Sequence, residues 1–244
     1  MSVPPPQAEF AERHGAIATL NLRARPDTLT DIVYEAIRQG IIDKRLPPGA
    51  RVTEAALAEQ LGVSKTPVRE ALLRLRDVGV IEDHGRRGGR VVRSSEAAIR
   101  RAYEVREAVE SYAAGKSAER STAGERERLR AAAVRSLERA RRNDLVGFLE
   151  DDVAFHRLIG ESARNPELHR MIDNALTLAL TLRRRDRPHA TASVTCAEAH
   201  VRIAEAITDR DPAGAEREMR SHIGFVLAVV AAGSERGSMD EVAV

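Results

Sequence analysis

The 244-residue sequence predicts a mainly α protein in two parts: a small N-terminal head closed by a β-hairpin, then an antiparallel all-α helical bundle. Three observations carry this. Ala, Leu, Val and Arg are abundant, while aromatics are 3% of residues and Trp is absent, a composition that favours helix over sheet. Apolar residues recur at helical spacing along most of the chain, and the period changes only after Gly79. The breaks between helical stretches are short and carry Pro, Gly or Asn.

Residues 1–26, with Pro4, Pro5 and Pro6, read as a disordered leader. They lack the basic start and apolar stretch of a signal peptide. The head spans 27–93. Leu29, Ile32, Val33, Ala36 and Ile37 share one face of a first helix, and Leu46-Pro47-Pro48-Gly49 is a turn. Thr53 caps a short second helix that ends at Gly62. Ser64 or Thr66 caps a third, which holds Pro67 in its first turn and runs to Gly79. Val80-Ile81 and Arg90-Val91-Val92 are short strands around a Gly-rich tip. That order is a winged helix-turn-helix. Ser94 and Ser95 open a linker, 94–96. The bundle then spans 97–232, with helices over 97–118, 124–142, 144–162, 166–184, 192–209 and 212–231, and residues 233–244 read as a flexible tail.

One cysteine, Cys196, excludes an intramolecular disulfide and fits a reducing, cytoplasmic setting. No apolar run approaches the ~20 residues of a membrane span, so no membrane partner is expected. The net charge of +2 is too small to imply nucleic acid by itself. The local distribution does imply it. Residues 64–93 hold eight Lys or Arg against four acids. Ser64, Lys65, Thr66 and Arg69 fall within one and a half turns at the start of the third helix, offering hydroxyls for phosphate and long cations for base edges or backbone. Arg86, Arg87 and Arg90 on the glycine-rich tip suit a wing laid along phosphates or a minor groove.

Residues 34–92, with LPPGARVTEAALAEQLGVSKTPVREALLRLRDVGVIE, resemble the GntR family of bacterial regulators. The resemblance implies a homodimer on a double-stranded DNA operator, with Ser64, Lys65, Thr66, Arg69 and Gly85 or its wing neighbours as contacts. Lys65 stands where the family usually has Arg. Lysine can hold a phosphate but lacks the bidentate fork for guanine.

In the bundle, ionisable groups lie on apolar stripes. Asp152 and His156 sit one turn apart among Leu145, Phe148, Leu149, Phe155 and Ile159. His200 joins Ala197, Ile203, Ala204 and Ile207, and His222 joins Met219, Ile223, Val226 and Val230. Burying such groups unpaired costs several kcal/mol. Three imidazoles and one carboxylate from three helices suit a divalent metal ion, zinc or nickel. His14, His84, His169 and His189 fall outside these stripes. Arg106 also faces inward, and its partner is either Glu110 or a carboxylate ligand beside the metal. Asp152-x-x-Phe155-His156, then His200, then His222 resembles the effector domain of the FadR subfamily, called FCD. That resemblance implies a bound metal, a small carboxylate effector and Arg106 as an effector contact.

These features together read as a ligand-responsive transcriptional regulator. The alternative from another class is a metal-dependent hydrolase with an appended DNA module, but no HExxH or paired ExxH motif supplies its general base. A structural DNA binder would leave the buried histidines unexplained.

Overall fold

A computed structural model describes residues 28–83, 88–93, 95–186 and 193–240. The expected leader therefore lies outside the described residues. The head holds α1 (Leu29–Ile42), β1 (Arg51–Thr53), α2 (Glu54–Leu61), α3 (Lys65–Val78), β2 (Ile81–Asp83) and β3 (Gly88–Val91). Thr28 and Asp31 form a reciprocal cap on α1, with the Asp31 amide donating to Thr28 Oγ1 at 3.2 Å and the Thr28 amide to Asp31 Oδ2 at 2.9 Å. Thr53 caps α2 as expected, accepting from the Ala56 amide at 3.2 Å. α3 stops at Gly79, whose φ of 86° closes the helix in a left-handed turn that glycine adopts without strain.

The sheet order is β1-β3-β2, all antiparallel. Strand β1 was not expected. It is three residues long and runs straight into the α2 cap, so it carries no alternation of its own. Its pairing comes from a partner almost forty residues on, with Val52 opposite Gly89. A Cβ on Gly89 would fall 2.3 Å from Ile81 Cγ2, so the middle strand needs glycine there to sit this close to β2. The proline turn is fastened to the same sheet, because the Gly49 amide donates to the Val91 carbonyl at 2.8 Å.

The second part is α4 (Glu96–Arg120), α5 (Ala123–Arg141), α6 (Leu145–Ser162), α7 (Pro166–Asp186), α8 (Ser193–Thr208) and α9 (Pro212–Asp240). The helical bounds agree with the sequence reading within about two residues except at the end. There the helical backbone continues through Gly233 to Asp240, past the stop expected at 231. Once a helix is nucleated each added residue gains a hydrogen bond, and one glycine costs only about 1 kcal/mol. In the bundle α4 packs on α6, α7 and α9, and α5 packs on α6 and α8. This arrangement brings the inner faces of α4, α6, α8 and α9 together.

Each part has its own core. One gathers Val33, Ile37, Ile41, Leu72, Leu75 and Val91 in the head; the other gathers Tyr103, Leu129, Phe155, Ile159, Ile203 and Ile223 in the bundle. Helix α7 touches both parts. Leu178 packs against both cores, and its Cδ2 would stand 3.6 Å from a Cβ on Gly79. At the end of the same helix, the buried Arg185 donates from Nη1 to the Val92 carbonyl at 3.0 Å, while Asp186 accepts from its Nε and Nη2 at 2.7 and 2.8 Å.

Candidate functional site

Helix α3 presents its N-terminus to solvent. Ser64 occupies the N-cap position, yet its side chain makes no capping hydrogen bond, and no acid lies in the first turn. Ser64, Lys65, Thr66 and Arg69 are all exposed. Pro67, Val68, Ala71 and Leu72 point the other way into the head core. A helix start with free amides and no nearby carboxylate is suited to phosphate. Gly85, Arg86 and Arg87 lie outside the described residues. Arg90, expected on the wing as a phosphate contact, is partly engaged within the head. Its Nη1 donates to the Gly49 carbonyl at 2.6 Å, which ties β3 to the proline turn. Arg76 is likewise turned onto the Gly88 carbonyl.

In the bundle the sequence-predicted cluster comes together. Asp152 and His156 from α6, His200 from α8 and His222 from α9 each offer a ligand atom, and these atoms lie within 4.8 Å of one another, all on buried residues. The Asp152 Oδ1 oxygen stands 3.4 Å from His200 Nε2 and 3.9 Å from His156 Nε2. Phe155 stacks on His200 with ring centroids 4.5 Å apart, which fixes the imidazole plane. Neither His200 Nε2 nor His222 Nδ1 has a hydrogen-bond partner among the described residues, although both are buried. Such groups are ordinarily satisfied. One carboxylate and three imidazoles meet here, which is the donor set of a borderline divalent cation. The residues therefore fit a metal ion.

The electrostatics agree. Burial drives His200 down to about 3, against the pull of Asp152, and drives His222 well below the usual imidazole range. Both rings are neutral at pH 7, the form that ligates.

A second layer orients the first. Glu110 on α4 places Oε2 2.5 Å from His156 Nδ1, a close polar contact whose angle falls short of a straight hydrogen bond. A carboxylate at Nδ1 favours the tautomer that would leave Nε2, on the Asp152 side, for an ion. Ser136 Oγ on α5 stands 3.4 Å from His200 Nδ1, and by accepting there it would leave Nε2 of that ring for an ion. The sequence reading offered Glu110 only as a partner for Arg106, and it missed Ser136. The available signal for Ser136 was a hydroxyl on the buried face of α5, between Ala133 and Ala140.

Arg106 is 2% exposed and has Glu110 as its ion-pair partner, at 2.6 Å from Nε and 3.3 Å from Nη2. Burial alone would raise the Glu110 carboxyl, but Arg106 and His156 outweigh it and hold it at about 2. Arg106 Nη2 also reaches 3.5 Å from His156 Nε2, so the guanidinium borders the cluster. His169 stays apart, partly exposed, with Nε2 3.9 Å from Asp173. His14, His84 and His189 lie outside the described residues.

Comparison with known proteins matches both parts. The model for bacterial regulatory proteins of the gntR family matches residues 29–91, and the FCD domain model matches residues 101–225. The "Probable D-xylose utilization operon transcriptional repressor" of Paenarthrobacter nicotinovorans is 33% identical over 208 residues, covering 84% of this chain and 89% of that protein. The "HTH-type transcriptional repressor RspR" of Escherichia coli strain K12 is 27% identical over 191 residues, covering 78% and 84%. Among solved structures, E. coli McbR/YncC shares the fold with a TM-score of 0.67 at 22% identity, over 84% of this chain and 98% of that one.

Proposed function

The chain belongs to the GntR family of bacterial regulatory proteins and carries an FCD domain, and from that premise we propose a ligand-responsive, operator-binding regulator whose bundle holds a divalent metal and a small carboxylate. It is a transcription regulator rather than an enzyme, as its relatives are, so the hydrolase alternative falls away. The observation that carries the ligand-responsive part is the cluster of Asp152, His156, His200 and His222 with two buried nitrogens left unpartnered.

In this reading Ser64 and Thr66 hold phosphates, Lys65 holds backbone charge, and Arg69 reaches base edges. Gly85, Arg86 and Arg87 supply the wing contacts. Asp152, His156, His200 and His222 would hold the ion, with Glu110 and Ser136 fixing two of the rings. Zinc and nickel suit three imidazoles and a carboxylate. The bound ion would supply a Lewis-acidic position for the effector's carboxylate. Arg106 lies beside that position, with its charge already met by Glu110, so it contacts the effector from the flank rather than as its sole counter-ion.

A homodimer follows from the family reading. The half-exposed Val105 on α4 and Met171 on α7 support it, since they line one groove between those helices. Among the described residues no helix is long and apolar enough to cross a membrane. The cytoplasm is the compartment in which an operator is met.

The test is a thermal-shift screen of small carboxylates on the metal-free chain, with and without Zn²⁺ or Ni²⁺, followed by operator binding with each hit. Stabilisation by the ion, and by an acid only alongside the ion, is expected. If neither ion stabilises the chain, the reading of the bundle is wrong.

A further inference from the structure

A larger opening lies away from the buried cluster. Between the head and the bundle, α1 and α3 face α6 and α7 across a cleft of about 880 Å³. That size is in the range of small-molecule sites, which favour domain junctions. Its floor is apolar, with Leu145, Leu149 and Val153 from α6 and Leu180 from α7. Leu145 is 40% exposed and the neighbouring Val146 is 72% exposed, so part of this surface is not spent on the core, although Leu149 also packs against it.

The rim is charged and unbalanced. Six arginines and four acids line the cleft. Arg38 is taken by Glu35 at 2.7 Å, Arg157 by Asp173 at 2.8 Å, Arg74 by Asp31 at 2.7 Å and Arg170 by Glu167 at 2.5 Å. Arg183 and Arg184 have no ion pair or hydrogen bond among the described residues. Both sit on the last turn of α7, one half-buried and one exposed, beside the leucine floor. The remaining acids, Glu150 and Asp77, do not engage them. Two uncommitted guanidinium groups next to an uncovered apolar floor are complementary to one kind of molecule.

We propose that this interdomain cleft is a second ligand site, separate from the buried Asp–His cluster, that takes an amphipathic organic anion. The apolar body lies on Leu145, Leu149, Val153 and Leu180, and the carboxylate, sulfonate or phosphate head is held by Arg183 and Arg184. The occupant touches α1 and α3 on one side and α6 and α7 on the other. It therefore binds one head orientation better than others and biases the head toward it.

The experiment titrates the full chain with 1-anilinonaphthalene-8-sulfonate, an apolar body with one anionic group, and displaces it with octanoate. Fluorescence should rise on binding and fall with octanoate, and octylammonium should not displace the dye. Arg183→Glu with Arg184→Glu should weaken dye and octanoate by about tenfold or more, the loss of one to two charge-assisted contacts. Arg183→Lys with Arg184→Lys should keep most of the affinity. The affinity should be equal in EDTA and in Zn²⁺, which separates this site from the metal cluster. Far-UV circular dichroism checks the fold, and Arg183→Gln with Arg184→Gln serves if the reversed charges unfold the chain. The proposal is overturned if charge reversal leaves dye binding intact, or if octylammonium competes as well as octanoate. It is also overturned if the charge-reversed chain keeps its dye affinity but changes its sedimentation, because the cleft would then be covered by a second copy.

Discussion

Glu110 stands between Arg106 and His156, with one oxygen 2.6 Å from Arg106 Nε and the other 2.5 Å from His156 Nδ1. One carboxylate thus neutralises a buried guanidinium and orients a candidate metal ligand. Glu110→Gln keeps the shape and removes the charge. It should weaken Zn²⁺ binding by about 10- to 100-fold, measured by competition with a chromophoric chelator. Glu110→Ala strands Arg106 in the core and should cost about 3–5 kcal/mol in denaturant unfolding. A Gln variant with wild-type zinc affinity would refute the orienting role.

Metal removal should be felt as lost stability. Free ion at a hundred times its Kd stabilises the folded chain by about 2.7 kcal/mol. For a domain of this size that is a melting shift of roughly 5–10 °C. The shift should be present in the parent protein, absent in His200→Ala, and accompanied by an unchanged head signal. An equal shift in His200→Ala would place the ion elsewhere.

The exposed start of α3 predicts two opposite changes in DNA binding. Arg69→Ala should cost about 1–3 kcal/mol on the operator and flatten the difference from mismatched DNA. Lys65→Arg adds a bidentate fork and should sharpen discrimination at one base position. Titrations of a labelled operator and its single-base variants read both. Parent-like binding by Arg69→Ala would remove it from the reading surface.

Cys196 gives a pH prediction. Burial, with Asp152 adding to it, pushes the thiol up to about 12 from an ordinary 9.0. The folded chain therefore keeps this proton where the unfolded chain releases it. The sign follows: the group costs no stability below pH 9, and stability falls as pH rises from there toward 12. A disulfide reagent at pH 8 should react slowly with the native protein and fast in urea. Rapid native reaction would contradict the burial.

Which faces point inward was legible in the sequence, and that was enough to collect Asp152, His156, His200 and His222. Helical spacing assigns each residue to a stripe, and polar groups on apolar stripes stand out. What stands opposite each residue was not legible. Glu110 meets His156 across 46 positions, and Ser136 meets His200 across 64, on helices whose relative rotation no local pattern records. The head shows the same division. Its helices and caps follow from local chemistry, whereas β1 exists only through its pairing with β3. The bond from Arg90 to the Gly49 carbonyl was not legible either, because a positive charge beside glycines carries no local sign of a partner 41 positions away.

Leu178 is common to both cores, and this sets the mechanical scale of the molecule. Swinging the head off α7 would uncover part of that half-buried leucine, at a cost below the ~1.5–3 kcal/mol of a fully buried one, and would break the Arg185–Val92 hydrogen bond. A ligand held at a hundred times its Kd supplies a similar free energy. In the proposed ligand-responsive reading, this puts the joint within reach of a single small molecule. In that reading Leu178 is one of the contacts that hold the head, and Leu178→Val or Leu178→Phe would adjust how firmly it is held.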